Sequence, residues 1–461
     1  MTRFAVSPLS AFGASDMGRG SVLLILATVV LSAPAFGQER WPDPDPRLLE
    51  RARALLREVP LVDGHNDLPT RLLDEAGGDP ARFDLTRRQP HLPADVPRLR
   101  EGMVGAQFWS AYVPSEPAFT ADALRLGLQE IDMIHRMVAY YSDLEFARTA
   151  DDIERIVAQG NIASLIGLEG GHMIENSLSA LRMLFDLGVR YMTLTHFRTN
   201  DWADAATDSP RHGGLTEFGE EVVREMNRLG MFVDLSHVSA AAMRDALRVS
   251  RAPVIFSHSG ARAVNVHPRN VPDDVLRLVA QNGGVVMVDF VAGYTPRTAQ
   301  EWRTLSGPEA ARFHVLAGQS ADEPGWNMQR TAVGESLRAE LDDEGEIARR
   351  LAQWVAENPA PRGTVGAVAD HIDHIREVAG IDHIGIGSDF YDDGRSSMAV
   401  GLENVTKFPI LFAELLRRGY SDEEIKKIAG LNLLRAMRRM EQVAREVQRQ
   451  RGASLADIER R

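Results

Sequence analysis

The chain has 461 residues, 44% hydrophobic and 25% charged, with a formal net charge of −13. That is a globular composition with material for a large core, and its acidity, with no basic stripe, argues against a nucleic-acid partner. Cysteine is absent, which excludes disulfides, a thiol nucleophile and thiolate ligands; any metal site must be built from His, Asp and Glu.

Residues 1–37 read as a secretory signal peptide: Arg19, an apolar run over 21–31, then Ala33, Pro34, Ala35, Phe36 and Gly37. The run is short of the ~20 residues a membrane span needs. The mature chain is therefore expected to be secreted or periplasmic, without a stable span; an uncleaved N-terminal anchor is the alternative. Residues 38–46 form a proline-rich linker, and 47–58 a helix with Leu48, Leu49, Leu55 and Leu56 on its apolar side.

Eight short apolar runs then alternate with longer helical stretches: 60–63, 103–108, 163–168, 189–194, 231–235, 253–256, 284–289 and 383–387. Continuous apolar runs suit strands buried on both faces, and strand–helix alternation suits parallel pairing. The predicted fold is α/β, a (β/α)8 TIM-like barrel over 47–443, with an open doubly wound sheet as the alternative. Residues 292–367, with Trp302, Trp326, Trp354 and a charged helical section over 335–357, read as a helical insertion between strands 7 and 8. From Leu402 on the chain reads as C-terminal helices, one opened by a capping box at Ser421–Glu424. Residues 444–461 read as a charged tail, expected to fray.

The chemistry gathers where strands end. Strand 1 ends in His65-Asn66-Asp67, strand 3 in Glu169-Gly170-Gly171-His172, strand 4 in Thr195-His196, strand 5 in Ser236-His237, strand 6 in Ser257-His258 and strand 8 in Ser388-Asp389. In a barrel these ends converge on one face, where barrel active sites lie. Each signal is weak alone: Glu169 before two glycines could cap a helix, and a strand-end His is usually structural. Together they point to a metal site, because clustered buried charges and imidazoles need a cation to balance them. Three imidazoles with two or more carboxylates suit zinc, iron, cobalt or manganese better than calcium or magnesium. Five ligands exceed one open zinc site; two ions sharing a carboxylate account for the surplus. The pentad Asp370-His371-Ile372-Asp373-His374 has ligand-like spacing but lies on a helix before strand 8, and reads as structural.

Several ordered segments resemble the membrane (renal) dipeptidase family, a binuclear zinc branch of the amidohydrolase superfamily. They are Val62-Asp63-Gly64-His65-Asn66-Asp67, Gly105-Ala106-Gln107-Phe108-Trp109, Gly167-Leu168-Glu169-Gly170-Gly171-His172, Thr193-Leu194-Thr195-His196, Val233-Asp234-Leu235-Ser236-His237, Pro253-Val254-Ile255-Phe256-Ser257-His258-Ser259, Arg269-Asn270-Val271-Pro272-Asp273 and Ile386-Gly387-Ser388-Asp389-Phe390. The resemblance implies two divalent ions, most naturally Zn2+. It implies His65 and Asp67 on one ion, His237 and His258 on the other, and Glu169 bridging. It also implies His196 at the scissile carbonyl, Arg269 on the substrate carboxylate and Asp389 handling protons. The implied function is hydrolysis of small peptide substrates, dipeptides that can carry a D-residue at the C-terminal position, by a metal-bridging hydroxide. The alternatives are an amidohydrolase acting on N-acyl amino acids or β-lactams, and a binding protein that has lost catalysis. A homodimer is left open. Three departures stand out: Tyr391-Asp392 before Asp393-Gly394, Gly430-Leu431-Asn432 where the family has Gly-Gly-Asn, and the long insertion over 292–367.

Overall fold

The computed structural model describes residues 41–116, 121–295, most of 333–357, 363–394 and 397–458. Among the described residues nine strands form one parallel sheet. They are β1 (Leu61–Asn66), β2 (Val104–Tyr112), β3 (Leu144–Phe146), β4 (Ile162–Glu169), β5 (Val189–Thr193), β6 (Phe232–Asp234), β7 (Ile255–Phe256), β8 (Val285–Val288) and β9 (Ile384–Ile386). β1 pairs with both β2 and β9, and β2 pairs with β4, so eight of these strands close a barrel: β1-β2-β4-β5-β6-β7-β8-β9. The predicted barrel is therefore present.

β3 is an addition. It pairs with Ile162–Ser164 at the start of β4, on the edge that β5 takes up from Ile166 onward. Its three residues are too few to show a period in the sequence.

The two-sided burial of the strands explains their continuous apolar runs. Tyr191, Phe232, Ile255, Val285 and Met287 enter one packed cluster. Their neighbours Met192, Val233, Phe256, Val286 and Val288 enter the other, beneath the helices. Alternate side chains thus face inward and outward, and neither face meets water. Helices start where the sequence offers a capping side chain: Asp95, Thr149, Ser177, Thr216, Ser239, Thr364 and Ser421 each accept a main-chain N–H. Ser421 and Glu424 complete the expected capping box.

Two expectations change. Over its described residues, 444–458, the C-terminal region does not fray: the helix Asn432–Gln448 buries Val443, Ala444 and Val447. Beyond it, Ser454 is buried, its N–H donating to Glu225 while its carbonyl accepts from Arg182. The charged residues there decorate one face of a segment whose other face is apolar. The proline-rich segment is likewise not a free tether over its described part. Trp41 packs against the main chain at Gly366 and Gly401, and Asp45 caps the helix Pro46–Leu56.

The insertion over 292–367 is described only in part. The helix Glu344–Glu357 matches the charged helical section; Trp302 and Trp326 lie outside the described residues, as does the signal-peptide segment 1–37. Among the described residues no helix is long and apolar enough to cross a membrane.

Candidate metal centre

Five side chains from β1, β4, β6 and β7 meet at the C-terminal ends of the strands. Glu169, the last residue of β4, stands in the middle. Its Oε2 lies 3.4 Å from His65 Nε2, and its Oε1 lies 3.0 Å from His237 Nε2 and 3.3 Å from His258 Nε2. His65 Nε2 is 3.5 Å from Asp67 Oδ1, and the His237 and His258 Nε2 atoms are 2.9 Å apart. These spacings can be tested against an ion. Ligands about 2.0–2.1 Å from a tetrahedral centre lie about 3.3 Å from one another. The triangle of Glu169 Oε1, His237 Nε2 and His258 Nε2 has all its edges near that length, and so do the two edges from His65 Nε2 to Glu169 Oε2 and Asp67 Oδ1.

The donors are built for this. His65 Nδ1 lies 2.8 Å from the Tyr191 hydroxyl, which itself donates to the Gly64 carbonyl. Tyr191 therefore accepts from His65, and the Nε2 lone pair is left facing Glu169. His258 Nδ1 rests 2.7 Å from Ser257 Oγ, which is bonded in turn to Asp234. His65 Nε2 and Asp67 Oδ1 are both buried without a hydrogen-bond partner. Such atoms are rare in folded proteins unless something outside the chain satisfies them. The imidazole-rich set fits a zinc-like ion rather than calcium or magnesium.

Burial is the largest single influence on His65, Glu169, His196, His237, His258 and Asp389, but at His65 the facing Tyr191, Glu169 and Asp67 outweigh it and raise the imidazole well above its ordinary value. Burial holds His237 and His258 well below the ordinary histidine value, so both are neutral at pH 7 with lone pairs to offer. His196 is pushed down to about 4 for the same reason. At Glu169 burial works upward, but the surrounding imidazoles outweigh it and hold the carboxyl well below its usual range. At Asp389 burial prevails, reinforced by Asp67 and Glu169, and the carboxyl is well above its usual range.

The backbone fixes these positions. The Asp389 N–H donates to the His65 carbonyl, and the Asp67 N–H to the Phe390 carbonyl. Ser388 donates to Asp63 through both its N–H (2.7 Å) and its hydroxyl (2.6 Å). The ends of β1 and β9 are thereby laced, which sets Asp67 against Asp389. His237 and Asp389 hold left-handed conformations, with φ of 69° and 61°. Non-glycine residues keep such backbone only where the surroundings enforce it, commonly at functional sites.

A cavity of about 440 Å³ opens over the cluster, lined by Asp67, Glu169, His196, His237 and Asp389 on one side. Tyr112, Phe197, Val291, Tyr294 and Tyr391 supply its aromatic and apolar walls. His196 Nε2 stands 4.0 Å from Glu169 Oε1, and Asp389 Oδ1 3.9 Å from His65 Nε2. At those distances His196 joins the His237 side of the cluster and Asp389 the His65 side.

Arg269 is placed differently. It is 1% exposed and lies behind the cavity wall, its guanidinium carbon 5.5 Å from the Tyr294 ring centre. Nη1 donates to Ser259 Oγ and Nη2 to the His258 carbonyl, while Nε has no partner. The pentad at 370–374 is structural, as expected. His371 Nδ1 accepts from the Ala261 N–H, His374 pairs with Asp273, and Asp370 and Asp373 hold Arg418.

Two residues of the region carried no motif. Tyr191 sits inside a predicted strand, where nothing separates it from a core aromatic. Asp289 closes a predicted run and was legible as a further strand-end carboxylate.

A closed parallel barrel with this donor set at the C-terminal ends of its strands is the arrangement of a metal-dependent barrel hydrolase. Residues 49–451 match the membrane dipeptidase family, Peptidase family M19. The chain is 41% identical to Dipeptidase 3 of Rattus norvegicus over 407 residues, covering 87% of this chain and 69% of that protein. It is also 41% identical to Dipeptidase verJ of Clonostachys rogersoniana over 409 residues, 86% of this chain and 88% of the relative. Among solved structures, the probable dipeptidase PvdM of Pseudomonas aeruginosa superposes with a TM-score of 0.70 at 25% identity, over 87% of this chain and all 100% of that one. A metallo peptidase of Rhodobacter sphaeroides, liganded with a phosphinate mimic of the dipeptide L-Ala-D-Ala, superposes with a TM-score of 0.62 at 25% identity, over 83% of this chain and 99% of that one. The chain belongs to the membrane dipeptidase family, and with it to the peptide hydrolases.

Proposed function

We propose that the chain is a secreted or periplasmic binuclear dipeptidase, with Zn2+ as the natural ion. The observation that carries this reading is the division of labour at Glu169: one carboxylate oxygen faces His65 and the other faces His237 and His258. The two oxygens thus face two different sets of donors, which two ions would use and a single ion would not. In this reading His65 and Asp67 would hold one ion and His237 and His258 the other, with Glu169 serving both. Two such ions, when bound, would supply an activated water near neutral pH and an electrophile for the carbonyl oxygen.

The chain's own groups do the rest. Neutral His196, on the cavity wall, donates to the oxyanion that develops on the scissile carbonyl. Asp389 takes the proton released in the attack and delivers it to the leaving nitrogen, a transfer suited to a carboxyl whose proton affinity is raised. Arg269 supplies the charge that holds the substrate carboxylate, through the Nε–H that has no partner within the chain. The apolar walls accept the side chains, and Tyr391, which the family pattern lacks, narrows the mouth. The L-Ala-D-Ala mimic bound by the Rhodobacter relative supports tolerance of a D-residue at the C-terminal position.

The purified chain is expected to hydrolyse L-Ala-L-Ala and L-Ala-D-Ala, to lose that activity on chelation and to regain it with added zinc. Hydrolysis that survives complete removal of metal would contradict the proposal.

A further inference from the structure

At the Asp67 side of the cavity stands a charge that the reading above leaves unused. Of the described residues that line the cavity, Arg71 is the one arginine or lysine. It lies on the helix Leu68–Ala76, and its N–H donates to the Asp67 carbonyl, which seats it one turn beyond that residue. Its partner is Glu75 on the same helix: Nε and Nη2 both turn to the single oxygen Oε1. Both side chains of this i,i+4 pair are 32% exposed, a setting in which ion pairs are weak and a competing carboxylate can displace one partner. Nη1 forms no bond among the described residues, and a guanidinium carries donors enough to serve two carboxylates.

The surroundings decide which part of a substrate would meet this charge. Arg269 bonds to Ser259 and the His258 carbonyl, at the end of β7, whereas Arg71 follows Asp67, at the end of β1. Glu169 lies between His65 and His258. With the substrate carboxylate toward Arg269, as in the dipeptidase reading on which this inference rests, the substrate crosses Glu169 and brings its N-terminal residue to the Asp67 side. The carboxylates of Asp67 and Asp389 alone would turn an acidic side chain away from that side. A guanidinium beside them reverses the preference and offers paired N–H donors that match a carboxylate. We propose that Arg71 is a specificity-determining residue, selecting dipeptides with an acidic side chain, aspartate or glutamate, at the N-terminal position. Glu75 competes for the same guanidinium and so sets the strength of the selection.

Steady-state kinetics of the metal-loaded full chain on L-Glu-L-Ala, L-Gln-L-Ala, L-Ala-L-Glu and L-Ala-L-Gln test it. The kcat/KM for Glu-Ala should exceed that for Gln-Ala at least tenfold, while Ala-Glu and Ala-Gln stay within threefold of one another. Arg71→Gln should bring Glu-Ala and Gln-Ala within threefold, Arg71→Lys should keep part of the difference, and Glu75→Gln should widen it. A merely structural role for Arg71 would lower both substrates alike and leave their ratio intact. Wild-type values within threefold for Glu-Ala and Gln-Ala, an unchanged ratio in Arg71→Gln, or a preference carried by the C-terminal residue would each overturn the proposal. Calorimetric titration with the same dipeptides separates the two readings. A chain that hydrolyses none of them but binds Glu-Ala at least tenfold more tightly than Gln-Ala keeps the selectivity and refutes the dipeptidase reading. A chain that hydrolyses Glu-Ala and Gln-Ala alike does the reverse.

Discussion

Glu169 ends β4 with both carboxylate oxygens committed in different directions, and every other donor takes its place relative to it. Around it the residues divide by geometry. His65 and His258 are fully buried with Nε2 turned inward, whereas Asp389 and His196 reach the cavity. Substituting Asp389→Asn should therefore leave the metal content intact while lowering turnover by about 10²–10⁴-fold, the usual contribution of a positioned acid–base group. Metal analysis beside steady-state kinetics checks this, and full activity would remove Asp389 from the proton path. Asp289 makes a different prediction. Burial raises its carboxyl from 3.8 to about 7. An acid raised in the fold adds stability below its unfolded value and loses that contribution as pH climbs through the folded one. Asp289→Asn removes the effect, so its melting temperature should exceed that of the wild type by more at pH 8 than at pH 4. A constant difference would contradict the assignment. At this scale His65, Asp67, Glu169, His196, His237, His258 and Asp389 were legible because strand ends in a barrel share one face. Burial of Arg269 behind Tyr294 was not legible, since it depends on the loop from 259 to 270 folding back onto the β7 end.

Strands β1 and β9 act as one unit, because Asp63, Ser388 and the main chain of His65 and Asp389 bind across them. Close approach also matters next to Ser388. A side-chain carbon built on Gly387 would lie 1.8 Å from the Ser257 carbonyl oxygen, at the end of β7. Gly387→Ala must push β9 outward, a cost of about 3 kcal/mol at the upper end of overpacking penalties. Chemical denaturation should show a lowered midpoint, and an unchanged one would contradict the packing described. The eight barrel strands were legible as apolar runs because both of their faces are buried. β3 was not, since three residues carry no period, and the ordered segment after Gln448 was masked by its charge.

Across the whole molecule, the barrel brings together residues more than 190 positions apart, from His65 to His258, and holds them at distances an ion would share. The alternation of strand and helix carried that architecture in the sequence. The insertion over 292–367 did not declare its arrangement, because charged helical sequence specifies a helix without specifying where it packs. The most direct test of the proposed two-ion centre is the number of metal ions per chain, measured by plasma mass spectrometry on zinc-loaded protein. Two zinc ions per wild-type chain, falling to one in His258→Ala and to one or none in Glu169→Ala, is the result expected. A single ion in the wild type, or two ions retained in both variants, would contradict the centre proposed.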